Sequence, residues 1–439
     1  SKSRLSQSFT DTNDSSSVKN VYSKSVSYDD QFETIDTNHQ EHSSIIHEHN
    51  KLMSSFLVSE NNIMNLMAAS LSNQDAEAEA ETYSQSNDID HNNYPLLGSI
   101  LEYNNSEAVF ERKFSIDKDY FLIDHTLGSN LSVNDSSLIG LPVIPFTISM
   151  EIISEAADFV CGGNKKVREI RNIRGYRWLA IDEDCLALTI KSKIHSSNEI
   201  ETFVEAKIFQ HNPDSKIGLQ LVFEGTVVCS NSFEDNFKLE SITFPDSSMK
   251  SSRWKDDELY KTGMFHGPRF QGVKRINSWS KEGIDATLQV ISTNNFFKFT
   301  NNPKFRLDSG LIDAAGQLVG YWVSEQFGTD FNVFPFSVKS FTQFVDILPD
   351  NTYIICKAKI KFISDRQTTA YFEFIDQSGK LIACLEGWED RYFDIPNEYY
   401  KCRLNPSTAF ISSDFESDCL YGQYLKAFPD GFLEDSWKI

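Results

Sequence analysis

Few side chains in this sequence can move protons near neutral pH, and those that can lie in four short segments. The first is Asp124-His125-Thr126-Leu127-Gly128, with Leu141-Pro142-Val143-Ile144-Pro145 after it. The second is Phe265-His266-Gly267-Pro268-Arg269-Phe270-Gln271-Gly272. The third is Asp313-Ala314-Ala315-Gly316-Gln317, and the fourth is Val333-Phe334-Pro335-Phe336-Ser337. His125, His266 and Asp313 are the candidates for acid–base work. Asp313 is the most unusual, because it interrupts an apolar helical run where an ionised carboxylate is costly to bury. Burial raises a carboxylate pKa, and a raised pKa makes a general acid. Gln317 follows four residues later, on the same helical face, where its amide can orient the carboxyl. The competing readings are structural: Asp313 on a solvent-facing stripe, His125 in a turn after a strand, and His266 capping a Gly-Pro loop.

Two buried helices must carry or flank these groups, Phe146 to Val160 and Ser309 to Phe327. Strand-like alternation of β-branched and aromatic residues marks 183–194, 200–210, 217–229, 285–292, 352–363, 368–376 and 380–393. The order is helix then strands, twice over, which predicts an α+β protein of two similar halves. Regular structure is expected to begin at Tyr94-Pro95-Leu96-Leu97-Gly98. Residues 1–93 read as a linker. Its start is too polar to bury a core, an amphipathic helix spans about 43–72, and an acidic spacer follows. The remaining divisions are 94–240 for the first half, 241–400 for the second and 401–439 for a C-terminal extension.

The chain of 439 residues is 40% hydrophobic and 13% aromatic, enough for one large double domain with appendages. A net charge of −22 disfavours nucleic acid and anionic membranes as general partners. Seven scattered cysteines (161, 185, 229, 356, 384, 402 and 419), with no CxxC pair, fit reduced thiols in a cytoplasmic protein. No run is long and apolar enough to span a bilayer. The start at Ser1, without methionine, is compatible with a piece of a longer protein. His39, His42, His47 and His49 cluster beside the linker helix and invite a metal reading, but little core surrounds them.

Together, the histidine–glycine–proline string before a helix, HGPxFQG, DxxxQ in a second helix, FPFS and the opening PLLG resemble the dehydratase domains of polyketide synthases. Within that group the sequence resembles the iterative type of polyunsaturated-fatty-acid-synthase-like megasynthases. The resemblance covers roughly residues 94–400. It implies a double hotdog, two long helices each wrapped by an antiparallel sheet, with the site between them. It also implies dehydration of a 3-hydroxyacyl chain, carried on the phosphopantetheine of an acyl carrier protein, to the trans-2-enoyl thioester. In that reading His125 is the base and Asp313 the acid. Gln317 orients the acid, while Gly128, Pro145, His266, Gly267, Pro268, Phe270 and Pro335 shape the substrate tunnel. No metal or other cofactor is called for in the domain itself. Neighbouring synthase domains and a second copy of the chain are the implied partners. A catalytically altered double hotdog, acting as an enoyl isomerase, a product-shaping module or a dimerisation scaffold, is the alternative.

The sequence departs from that family's pattern in three places. Pro145 lies farther from His125 than usual, so Ser129–Gly140 reads as an inserted polar loop, either passive or a lid. Phe146 replaces a small residue, and His266 stands where many relatives carry another aromatic ring. Lys165, Lys166, Arg168, Arg171, Arg174 and Arg177 form the dense basic cluster of an acidic chain. The first five are the candidate docking residues for an acidic carrier protein; a solvated strand face is the plainer reading.

Overall fold

The computed structural model describes residues 89–130, 139–181, 184–211, 218–233, 241–327 and 332–393, all within one compact unit spanning Met53–Ile439. The helix expected near 43–72, the four clustered histidines and the 401–439 extension lie outside the described residues.

The first half contains β1 (Ser99–Asn104), β2 (Glu107–Phe114), a hairpin of β3 (Thr126–Asn130) and β4 (Ile139–Pro142), α1 (Phe146–Val160), β5 (Lys166–Gly175), β6 (Leu186–Ser197), β7 (Glu201–His211) and β8 (Leu219–Ser230). The second contains β9 (Val273–Ser280), β10 (Gly283–Gln289), α2 (Ser309–Phe327), β11 (Asn332–Gln343), β12 (Tyr353–Ser364), β13 (Gln367–Ile375) and β14 (Leu381–Phe393). Twelve strands form one antiparallel sheet in the order β1-β2-β6-β7-β8-β5-β11-β14-β13-β12-β10-β9. Read inward from its two edges, the sheet gives the same connectivity twice. The series β1, β2, β6, β7, β8, β5 is answered by β9, β10, β12, β13, β14, β11. The halves join where β5 pairs with β11, with Ile170 opposite Phe341 and Arg174 opposite Ser337.

Both helices begin and end where the sequence places them. Pro145 precedes α1, and its carbonyl accepts from Ser149 N–H. The helix stops at Gly162 and Gly163, whose φ angles of 82° and 69° suit glycine. Asp308 caps α2, its Oδ1 accepting from Leu311 N–H at 2.9 Å. Helix α1 packs on β2 and β5–β8, α2 packs on β9–β12, and the two helices touch. Each sheet half therefore wraps its own helix. The apolar faces supply a common core that includes Ile148, Ile152, Leu318, Val319, Trp322 and Trp388.

Several strands escape the alternation rule. In β5 the buried residues are Val167, Ile170 and Ile173, a spacing of three that does not read as a strand. Register shifts at Val167/Glu169 and Arg171/Arg174 cause it, with Asn172 in the left-handed region at φ 53°. The expected polar insertion also needs correction. Ser129 and Asn130 belong to β3 and Ile139 and Gly140 to β4, with Leu127 opposite Leu141; residues 131–138 lie outside the described ones. Strand β11 absorbs the FPFS segment, which sequence reading treats as a motif instead of as an element.

Candidate active site

The β3–β4 hairpin presses Leu127, Leu141 and Val143 against Phe265, with Trp178, Ala180 and Phe334 packed around them. This small cluster draws three of the four sequence segments to one place. The remaining segment arrives on α2 and brings Asp313.

His125 sits just before β3. Its Nδ1 lies 2.7 Å from the Val143 carbonyl oxygen. A carbonyl can only accept, so Nδ1 carries the proton and Nε2 keeps its lone pair. Phe265, His266 and Phe270 surround the ring at centroid distances of 5.1, 5.2 and 5.6 Å. Burial pushes the imidazole pKa down to about 4, against the opposing Val143 hydrogen bond. The ring is therefore neutral at neutral pH, in the tautomer a general base needs.

Asp313 is 9% exposed. Burial raises its pKa to about 7, while hydrogen bonds from Gln317 and Thr147 pull the other way. Gln317 Nε2 donates to Oδ2 at 2.8 Å and Thr147 Oγ1 to Oδ1 at 3.4 Å. Gln317 is itself held. Its nitrogen also donates to the Phe270 carbonyl at 2.9 Å, and its oxygen accepts from Tyr260 at 2.7 Å. Tyr260 accepts from Val273 N–H at 2.8 Å, which leaves its single proton for Gln317. The amide has one orientation compatible with these partners, and that orientation points N–H at the carboxylate.

The His266 ring lies against His125 and Asp313. It is 6% exposed, stacks on Phe265 at 4.1 Å, and places Nε2 3.5 Å from Asp313 Oδ2. Burial, then the neighbouring His125, holds its pKa well below the usual histidine value. His125, His266 and Asp313 offer donor atoms all within 4.8 Å of one another, a set able to hold a metal ion.

Gly267 lets the loop close on the His125 turn. A Cβ there would lie 2.2 Å from Asp124 Oδ1. Asp124 in turn accepts at Oδ2 from Arg269 N–H at 3.0 Å and from its guanidinium at 2.7 Å. Pro268 and Phe270 form the single turn after Gly267, and Phe270 is fully buried. Gly128 lies within β3, Pro145 at the start of α1, and Pro335 on β11 opposite Asp390. Thr147, Tyr260, Asp124 and Arg269 were not singled out from sequence as site residues. The Asp-His order and the HGPR string hold a signal for the Asp124–Arg269 pair, but Thr147 and Tyr260 act through tertiary contact and leave none.

The proposed docking cluster separates into individual pairs along β5. Lys165 donates to Thr202 at 2.6 Å, Lys166 pairs with Asp346 at 2.6 Å, and Arg171 pairs with Glu169 at 2.7 Å. Arg168 contacts Glu201, Arg177 donates to Gln220 at 2.8 Å, and Arg174 faces Ser337 and Glu224 across the sheet. Strand alternation and nearby acids disperse the patch.

Fold and site together define a double hotdog with a histidine and a carboxyl group meeting between its halves. Residues 246–394 match the family model described as the polyketide synthase dehydratase N-terminal domain. That segment contains His266, Asp313 and Gln317; His125 precedes it. The dehydratase domain from the CurF module of curacin polyketide synthase is a solved structure of the same fold. It is 17% identical, with 69% of this chain and 100% of that chain covered at a TM-score of 0.50. The corresponding domain from the CurK module is 17% identical, with 68% and 98% covered at a TM-score of 0.50. No curated protein sequence matches the chain. Residues 246–394 are thus similar to the polyketide synthase dehydratase family, and the described residues share the fold of those solved domains. Among the described residues no helix is long and apolar enough to cross a membrane.

Proposed function

We propose that this domain removes water from a 3-hydroxyacyl thioester, presented on the phosphopantetheine of an acyl carrier protein, to give the trans-2-enoyl thioester. His125 Nε2 takes the α proton, which the thioester acidifies. The bond from the β carbon to oxygen breaks as Asp313 gives its proton to the departing hydroxyl, which leaves as water. The observation that carries this reading is the opposite tuning of two adjacent groups. Burial keeps His125 deprotonated, with a pKa of about 4, and Asp313 protonated up to about 7. Gln317, fixed by Tyr260 and Phe270, holds the carboxyl in position, and Phe265 and Phe270 supply apolar walls. The chemistry assigned to these residues uses no cofactor. Carrier protein, neighbouring synthase domains and a second copy of the chain are the proposed partners, in the cytoplasm, where the free cysteines of the described residues would stay reduced.

The test is incubation with a 3-hydroxyacyl carrier protein or a short thioester mimic, read by mass spectrometry. The wild-type protein should lose one water from the substrate, and His125→Phe and Asp313→Asn should not. Full activity in both variants would overturn the pair. Double-bond migration in an enoyl substrate, without dehydration, would favour the isomerase alternative.

A further inference from the structure

The contact between His266 and Asp313 is unusual. Two buried groups face each other at 3.5 Å, at the outer limit of a hydrogen bond. His266 Nδ1 has no hydrogen-bond partner although the side chain is buried. Such a group costs stability without an evident return inside the protein. The same spacing suits a different purpose. Ligands bound to a tetrahedral zinc ion at about 2.0–2.1 Å stand roughly 3.4 Å from one another.

The geometry points to a binding site for a zinc-sized divalent cation formed by His125, His266 and Asp313, whose occupation switches the dehydration centre off. Two histidines and one carboxylate are a recurrent transition-metal donor set that leaves positions open for water. Their donor atoms already lie within 4.8 Å of one another, against roughly 3.4 Å between the ligands of a bound zinc ion. The outer contacts fit the role as well. Metal-bound histidines commonly donate their second ring N–H to a carbonyl, and bound carboxylates accept further hydrogen bonds. His125 gives Nδ1–H to Val143 and directs Nε2 elsewhere, and Asp313 is held by Gln317.

Binding replaces the acid proton of Asp313 with metal and releases that proton to solvent. It also uses the His125 lone pair that would take the α proton. The metal would therefore compete with both halves of the acid–base pair. His266 takes part in neither proton transfer, so its replacement is read by metal affinity and not by turnover. The inhibitory part of this inference rests on the dehydratase reading; the binding part does not.

The experiment is a titration of the purified protein with cobalt(II) chloride, followed by the visible spectrum, and then displacement by zinc chloride. One cobalt ion per chain with tetrahedral absorption is expected. His266→Phe, which keeps a ring on Phe265, should bind at least ten-fold more weakly. If circular dichroism finds that variant unfolded, His266→Gln serves in its place. Zinc should also inhibit wild-type dehydration, and EDTA should reverse it. Absence of tetrahedral cobalt, or equal affinity in the folded His266 variant, would overturn the site. Tight binding with undiminished dehydration would leave the site standing and overturn the reading of His125 and Asp313 as the reacting pair.

Discussion

The two halves share a connectivity, but they use their buried acids in opposite ways. Helix α1 buries Glu151, Glu155 and Asp158, each less than 5% exposed. Glu151 accepts from the main-chain N–H groups of Arg306 and Leu307 at 2.5 and 2.8 Å, and Glu155 from Leu96 N–H at 3.0 Å. Asp158 pairs with the Arg306 guanidinium at 2.6 Å. These carboxyls tie the first half to the segment that leads into α2, and to the PLLG segment at the start of the domain. Helix α2 buries Asp313 with only side-chain donors and sets it beside His125. Burial raises Glu151 to about 8 and Asp313 to about 7, so a shifted pKa does not distinguish them. Their neighbours do. Glu151 already spends its oxygens on main-chain donors, while Asp313 has a carboxylate oxygen within 4.8 Å of ring nitrogens of His125 and His266. The connection before each helix differs too. In the first half it carries His125 and the β3–β4 hairpin; in the second it carries the aromatic rings of Phe296, Phe297 and Phe305. In the proposed reaction one repeat supplies the base from its connection, and the other supplies the acid from its helix.

The largest expected effect separates the two acids. Asp313→Asn should lower the turnover of a 3-hydroxyacyl thioester by about 10²–10⁴-fold, the usual range for a lost general acid. Its melting temperature at pH 8 should match or exceed wild type, because the variant no longer buries an ionising carboxyl. Glu151→Ala should do the reverse. It strands two buried N–H groups, with a loss of roughly 2–5 kcal/mol in denaturant unfolding, and the molecules that remain folded should keep their turnover. Equal loss of turnover in both would erase the contrast.

A smaller effect is expected at the loop latch. Asp124→Asn weakens the contact to Arg269 and should cost about 2 kcal/mol of stability. It should also lower turnover, because the same residue leads directly into His125. Unchanged turnover with lowered stability would make the latch purely structural. Smaller again is Tyr260→Phe, which takes one hydrogen bond from Gln317 while Gln317 still donates to Asp313. A several-fold loss in turnover with an unchanged Michaelis constant is expected; a change confined to the Michaelis constant would put Tyr260 in binding.

Stability should also follow pH in a defined direction. Glu151, Asp308, Asp313 and Asp390 all have carboxyl pKa values raised to about 7 or 8 by burial. The folded protein thus keeps protons that the unfolded chain releases near pH 4. That stabilisation is complete below about pH 4 and is lost as pH rises through 7 to 8. The melting temperature should fall across that interval, as followed by calorimetry.

The helices and the candidate pair were legible in the sequence for different reasons. Asp313 and Gln317 stand out because an acid and an amide share one face of an apolar helix. Most of the long strands were visible in their alternation. Strand β5 was not read as one outright, because its bulges and Asn172 give Val167, Ile170 and Ile173 a helix-like spacing. The hairpin around His125 was obscured by its polar sequence. The acids of α1 lie in a helix that reads as buried, and their partners, main-chain N–H groups for Glu151 and Glu155 and the Arg306 guanidinium for Asp158, come from distant segments that no local pattern reveals. Thr147 and Tyr260 reach Asp313 and Gln317 through tertiary packing, which no local pattern records.

The central claim is that the first half supplies a neutral base and the second a protonated acid. The pH dependence of kcat/KM for a 3-hydroxyacyl thioester tests it most directly, measured for wild type and Gln317→Leu. Activity should hold between about pH 4 and 7, falling below as His125 protonates and above as Asp313 ionises. Gln317 donates to the ionised carboxylate, so its removal should raise the Asp313 pKa and move the alkaline limb upward, alongside a loss of rate. A profile that climbs to a plateau above pH 8, or an alkaline limb unmoved in Gln317→Leu, would contradict the assignment.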